Sequence, residues 1–323
     1  MQHGGHITKD LLGPRGAPVG GGGGGIDVTT FTQALGDELI LNGGMEAGDP
    51  PTSWTARNDA TLSSVADERT GGAGSKSINI ERNGSNFPGA YQTVTSTAEK
   101  WHEASLWTRQ VELSGDFMLR RIPGSDNLIS GGSISNTTTS WRQFSTVFLS
   151  PDATMTMLVS GGAGTTDGHS ARADDASIKM LTSNEQQTAS PDGDFQFEFT
   201  LPASPIAAQR AVLLYRIVDT LNMWMIYVRR NYTNTAYDLL LDKLSSGVPT
   251  IAPVLKVTDV GTPTLIRVVT NGNDHTCYTG TGTIDAPTWT QRGATQTDAT
   301  HAAGTGLNTV YSSAITPVRL RSF

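Results

Sequence analysis

Apolar and polar residues alternate with a period of two over many short stretches of the chain. The clearest is Asp194-Phe195-Gln196-Phe197-Glu198-Phe199, which puts three phenylalanines on one face of an extended segment. Shorter versions occur at Ser77-Ile78-Asn79-Ile80, Ala90-Tyr91-Gln92-Thr93-Val94 and Ala104-Ser105-Leu106-Trp107-Thr108. Further strands are expected over residues 117–120, 143–148, 155–159, 211–215, 223–228, 237–241, 264–269 and 317–323. Gly- and Asn-rich turns separate the earlier strands at the short intervals of a sandwich, and no helix-period segment competes with them. The pattern predicts an all-β chain.

Composition agrees and removes several functions. Charged residues make up 16% of the 323 residues and glycines number 36, which suits many turns. The formal charge of -7 argues against a nucleic-acid partner, because phosphates call for a basic stripe. A single cysteine, Cys277, permits neither an intrachain disulfide nor a thiolate metal cluster. No stretch approaches the ~20 apolar residues of a membrane-spanning helix, so membrane insertion is not expected.

The pattern divides the chain into an arm at 1–36, a β-sandwich at 37–183 and a second β-sandwich at 184–323. The arm carries six consecutive glycines, Gly20 to Gly25. Glycine this dense has maximal backbone freedom, so an ordered arm needs a holder, and a neighbouring subunit is the simplest one. Val28-Thr29-Thr30-Phe31-Thr32 is its most strand-like piece and is expected to add to a neighbour's sheet. A polar linker, Ser183-Asn184-Glu185-Gln186-Gln187-Thr188-Ala189-Ser190, joins the two sandwiches, which share no repeat.

Two segments bracket the middle region. It opens with Asn42-Gly43-Gly44-Met45-Glu46, then Pro50-Pro51 and Trp54, and closes with Ala173-Asp174-Asp175-Ala176-Ser177-Ile178. Between them lie Tyr91-Gln92-Thr93-Val94, Leu106-Trp107-Thr108-Arg109 and Thr139-Ser140-Trp141-Arg142-Gln143-Phe144. In this order the motifs resemble jelly-roll carbohydrate-binding modules, a family that binds sugars and does not cut them. The last region, with Asn222-Met223-Trp224 in its middle, resembles the concanavalin A-like, laminin-G-like sandwich. That resemblance implies that the final strand, residues 318–323, pairs back on residues 195–199.

The modules implied by the first resemblance carry a structural Ca2+ between the first-strand Glu and the closing Asp pair. Carried over, Glu46 and Asp175 are its side-chain ligands, with Asp174 nearby and backbone carbonyls completing the six to eight oxygens that Ca2+ takes. An Asp-Asp turn capping backbone amides is the competing reading. Sugar binding needs an aromatic platform beside hydrogen-bonding side chains. Tyr91 and Trp107 lie on strands where the family lines its groove, with Gln92 beside them. In the second sandwich Trp224 is the candidate, with Tyr227, Asn231, Tyr232 and Trp289 as weaker ones. Core packing competes for every ring, and Trp54 and Trp141 match positions that pack inside.

Catalysis has no constellation. Asp194 and Glu198 fall about 13 Å apart on one strand face, too far for a glycosidase pair, and Gln196 stands where the closer partner belongs. A solvated strand face is the expected role of these acids. The six histidines show no zinc-ligand spacing beyond His3 and His6 in the arm.

These readings combine into a non-catalytic virion structural protein, a capsid decoration or a tail or fibre component. Residues 1–36 would bind other virion subunits, a homo-oligomer or larger assembly is expected, and glycans are the implied ligands. The start at Met1 without an apolar leader fits assembly in a host cytoplasm. The alternative is a secreted or cell-surface bacterial carbohydrate-binding protein whose signal peptide lies outside this sequence.

Overall fold

Alternation becomes sheet faces in the computed structural model, which describes residues 25–323 except 67–68, 70–73, 85–86, 122–127, 129–133, 163–165, 183–186, 204–205, 231–235 and 251. The strands in chain order are β1 (Asp27–Val28), β2 (Ala34–Glu38), β3 (Thr55–Arg57), β4 (Thr61–Ala66), β5 (Lys76–Glu81), β6 (Gly89–Thr95), β7 (Lys100–Gln110), β8 (Gly115–Arg121), β9 (Ile134–Asn136), β10 (Arg142–Ser150), β11 (Thr154–Gly161) and β12 (Ser170–Thr182). They continue as β13 (Gln187–Thr188), β14 (Gly193–Thr200), β15 (Arg210–Asp219), β16 (Asn222–Arg230), β17 (Tyr237–Ser245), β18 (Val248–Pro249), β19 (Leu255–Val257), β20 (Leu265–Asn271), β21 (Asp274–Thr283), β22 (Ala286–Gln291), β23 (Gln296–Thr297), β24 (Gly306–Tyr311) and β25 (Thr316–Ser322).

Sheet I has the order β10-β7-β12-β5-β4, with β2 also on β12, and sheet II the order β3-β6-β11-β8-β9. Sheet III runs β13-β24-β15-β16-β17-β18, with β19 also on β17, and sheet IV runs β1-β25-β14-β20-β21-β22, with β23 on β21. Neighbouring strands are antiparallel. Sheets I and II enclose one core, which includes Phe144, Phe148, Leu106 and Ile178 from sheet I and Val94, Met155, Met157 and Val159 from sheet II. Sheets III and IV enclose another. There Tyr215, Trp224, Ile226 and Leu239 meet Phe195, Phe197, Phe199, Ile266 and Leu320. The chain is an all-β pair of sandwiches, as the alternation predicts, and β25 pairs with β14 through Phe195↔Ser322 and Phe197↔Leu320.

A third apolar layer joins the two sandwiches. Val147, Leu149 and Leu181 on the outer face of sheet I pack against Val212, Leu214, Met223, Met225, Tyr227 and Leu240 of sheet III. Sheet III is therefore buried on both faces. This is why β15, β16 and β17 read as continuous apolar runs instead of alternating ones. Burying a large aliphatic side chain contributes about 1.5–3 kcal/mol, so this layer holds the four sheets as one stack rather than as beads on a polar linker. Gln187–Thr188 of that linker form β13 on the edge of sheet III, against Leu307 and Gly306.

The strand-like piece of the arm is used at home. Asp27 and Val28 pair with Arg321 and Leu320 of the same chain, which corrects the expectation of a neighbour's sheet. Ile26, Val28 and Phe31 pack on the core between sheets III and IV. Gln33 then donates its side-chain amide to the Tyr311 carbonyl at 2.6 Å, and β2 joins β12 in sheet I. Residues 26–38 thus strap the two sandwiches together. Residues 1–24 lie outside the described residues.

The bracket segments meet as the motifs imply. Ala176 donates its amide to the Gly43 carbonyl at 3.0 Å. A Cβ on Gly43 would stand 2.0 Å from the Ala176 oxygen, so the approach requires glycine. Asn42 ties the loop through the Ala47 and Thr52 carbonyls, each at 3.0 Å, and Trp54 is buried in the core.

Candidate functional site

The residues expected to bind sugar are not gathered at one place. Tyr91 is half-buried on the outer face of sheet II. Its neighbour Gln92 turns to the inner side, where Oε1 accepts the Leu41 amide at 2.7 Å and Nε2 donates to the Leu41 carbonyl at 2.9 Å. Both ends of that side chain are consumed by a backbone clamp, which corrects its assignment as a sugar contact. Trp107 lies on the outer face of sheet I, opposite Asp174 and Gln143, and the Arg69 guanidinium covers its ring at 4.8 Å. Trp224 is fully buried, donates Nε1 to the Thr300 carbonyl at 2.6 Å and packs 4.4 Å from the His275 ring. It is a core residue and cannot meet a glycan. Asn231 and Tyr232 lie outside the described residues.

The expected calcium ligands do not fit that ion as they are arranged. Arg69 Nη2 lies 2.9 Å from Asp174 Oδ2 and 2.6 Å from Asp175 Oδ2, so a guanidinium already bridges the pair and balances one of its two charges. Asp174 and Arg69 are almost completely buried, with side-chain exposures of 1% and 5%. Glu46 instead accepts the Ser75 and Lys76 amides at 2.7 and 2.8 Å, and these bonds, the Lys76 one first, hold its carboxyl below the usual range. Among the described residues no three His, Cys, Asp or Glu side chains converge as a metal-holding group.

The acids in and just before β14 all have partners, although Asp192 is half-exposed. Arg216, itself buried, reaches Asp192 at 2.7 Å, and Arg267 grips Asp194 through Nε and Nη2, both at 2.7 Å. Glu198 accepts the Ile284 amide at 3.0 Å. Burial pushes the Cys277 thiol up to about 12, so it stays protonated on the inner face.

The outer face of sheet IV gathers what sugar recognition needs. Because β14 puts its phenylalanines inward, Asp194, Gln196 and Glu198 point outward. The register aligns Gln196, Arg267, Tyr278 and Gln291 in one row across β14, β20, β21 and β22. Trp289 stands opposite Gly280 in the next row. A Cβ on Gly280 would lie 2.7 Å from the indole, so glycine lets Trp289 lie flat on the strand. Arg267 sits 4.9 Å from the Tyr278 ring centroid and 5.5 Å from that of Trp289, a cation–π contact with both. Asp194, joined by Gln196 at 3.1 Å, fixes that guanidinium. Two half-buried rings are thus held beside an arginine and the exposed Gln291 amide, while Gln196 is buried beneath as a support for Asp194. Of this set the sequence pattern pointed only to Trp289. Arg267 between Ile266 and Val268, and Tyr278 between Cys277 and Thr279, carry the alternation signal, but the register that joins them is a property of the fold.

No family model matches the chain, and no curated protein matches it. Among solved structures it is similar to an arabinose-bound α-L-arabinofuranosidase, with 20% identity over 45% of this chain and 27% of that one, at a TM-score of 0.37. It is also similar to a carbohydrate-binding module, TmCBM61 in complex with β-1,4-galactotriose, with 18% identity over 44% of this chain and 98% of the module, at a TM-score of 0.34. A tandem CBM22-1–CBM22-2 domain of Paenibacillus barcinonensis Xyn10C aligns over 89% of this chain and 96% of its own length, with 10% identity and a TM-score of 0.36.

Proposed function

We propose that the protein is a non-catalytic virion structural component, a capsid decoration or a tail or fibre protein, that displays a glycan-binding surface. The observation that carries the glycan part is the platform of Tyr278, Arg267 and Trp289 on the outer face of sheet IV, with Gln291 in the row of Tyr278. Sugar rings stack their C–H faces on such indole and phenol faces, and their hydroxyls take amide and guanidinium partners. The pre-set geometry limits the side-chain entropy lost on binding. The acids nearest the platform are held by arginines and a backbone amide, which suits support rather than proton transfer.

The four-sheet stack suits a display role, since its three apolar layers make one rigid carrier. In this reading the Gly-rich residues 1–24 join other virion subunits, while residues 26–38 lock that arm to the stack. A glycan array with wild type and Trp289→Ala tests the binding claim. Binding that is lost in Trp289→Ala, with every glycan recovered uncut, supports it; equal binding by both proteins, or cleaved glycans, overturns it.

A further inference from the structure

The apolar layer between the sandwiches gives way at one end to a polar cavity of about 130 Å³. Glu103 and Ser105 of β7, Gln143 of β10 and Lys179 of β12 form its floor, and Gln209, from the turn leading into β15, closes it from the other sandwich. Leu35 and Ile206 supply an apolar wall, and Leu35 is exposed at the rim. Gln209 is completely buried. Its Oε1 accepts the Ile206 amide at 3.1 Å, which fixes the orientation of the carboxamide, and its Nε2 is left without an acceptor.

We propose that this cavity binds one neutral polyhydroxylated unit, a single sugar ring or a short polyol, at a site separate from the sheet IV platform. The lining mixes donors (Lys179 and the Gln143 amide) with acceptors (the Gln143 carbonyl and Glu103, whose carboxylate already takes the Ser145 hydroxyl and the Ser313 amide). A hydroxyl both donates and accepts, so one ligand type satisfies both sets. An anion would meet Glu103 and a cation would meet Lys179. Leu35 and Ile206 offer the surface that the C–H face of a ring requires. The volume would hold roughly four waters at their liquid share of about 30 Å³ each, the scale of one small ring and not of an oligosaccharide. Sheets III and IV lie between this cavity and the platform face.

Saturation-transfer NMR on the full chain, with methyl α-glucopyranoside, methyl β-galactopyranoside and glycerol as probes, tests the site. At least one probe should bind in the millimolar range, weakened about tenfold or more by Gln209→Met and by Ser105→Leu. Trp289→Ala should leave that binding unchanged even where it abolishes oligosaccharide binding, so the two sites fail separately. If Gln209→Met does not fold, Ser105→Leu, which narrows the cavity from the strand side, decides the matter alone. No probe bound at roughly tens of millimolar, binding that survives the cavity substitutions, or binding lost in Trp289→Ala would each overturn the proposal and leave a water-filled cavity.

Discussion

Replacing Arg69 with methionine tests how the closing strand of the first sandwich is held. Methionine keeps much of the volume and removes the charge shared by Asp174 and Asp175. Asp174 is almost wholly buried, and its other oxygen, Oδ1, accepts the Asp175 amide at 2.7 Å. Asp175 sits at a φ of 45°, where β12 slips register between Asp174 and Ser177. Breaking a buried ion pair by removing one partner costs about 3–5 kcal/mol, because the remaining charge stays buried. Loss of the contact with Trp107 adds roughly 0.5–1 kcal/mol. Asp175 is more exposed and can regain water, so the lower part of that range is expected, about 3–4 kcal/mol. At roughly 2 °C per kcal/mol for a chain of this size, the melting temperature should fall by about 6–8 °C. Adding Asp174→Asn should recover most of the loss, since no buried charge then remains. Differential scanning calorimetry reads both effects. A chelator should leave the wild-type transition in place, because the guanidinium already bridges both carboxylates. Arg69→Met within about 1 kcal/mol of wild type, or a wild-type transition lowered by chelator, would refute the reasoning.

Acid should weaken the fold through two buried histidines. Burial lowers His102 and His275 to about 4, below an unfolded value near 6.5. Their contribution is therefore complete above pH 6.5 and lost as the pH falls toward 4, by at most about 3 kcal/mol each. Glu103, raised by burial, works the other way over part of that range, so denaturation midpoints flat between pH 7 and 4 would contradict the assignment only if they stayed flat in Glu103→Gln as well. At the junction, Leu214→Ala should cost about 2–4 kcal/mol, and the wild-type protein should melt in one transition. Two separate wild-type transitions would mean that the sandwiches fold apart. Deleting residues 1–24 should leave the stack folded and abolish incorporation into particles, and normal incorporation would remove the anchoring role.

Much of the fold was legible because burial on one face leaves a period of two. Phe195, Phe197 and Phe199 face the core as their spacing predicts, and the bracket of Gly43 and Ala176 closes as the motifs imply. The junction announced itself only indirectly, as the unbroken apolar runs of β15 to β17, which a single sandwich does not need. The site was harder to read for a physical reason. Strand parity gives the face a side chain takes but not its cross-strand neighbours, so Tyr278 could not be set beside Arg267 or Trp289 beside Gly280. Gln92 and Trp224 were misplaced because a polar or aromatic residue on a plausible strand looks alike whether it clamps a loop, fills a core or meets a ligand. Arg69, set in a polar stretch of sequence, gave no signal that it would stand where a cation was expected.

The proposed oligosaccharide binding stands or falls on the sheet IV face. Backbone and indole N–H shifts in isotope-labelled full-length protein, titrated with an oligosaccharide selected on the array, test it most directly. The prediction is a set of saturating shifts confined to β20, β21 and β22, led by the Trp289 indole, with the oligosaccharide intact at the end. Shifts confined to the Tyr91 face of sheet II or to Trp107, or a shortened oligosaccharide, would contradict it.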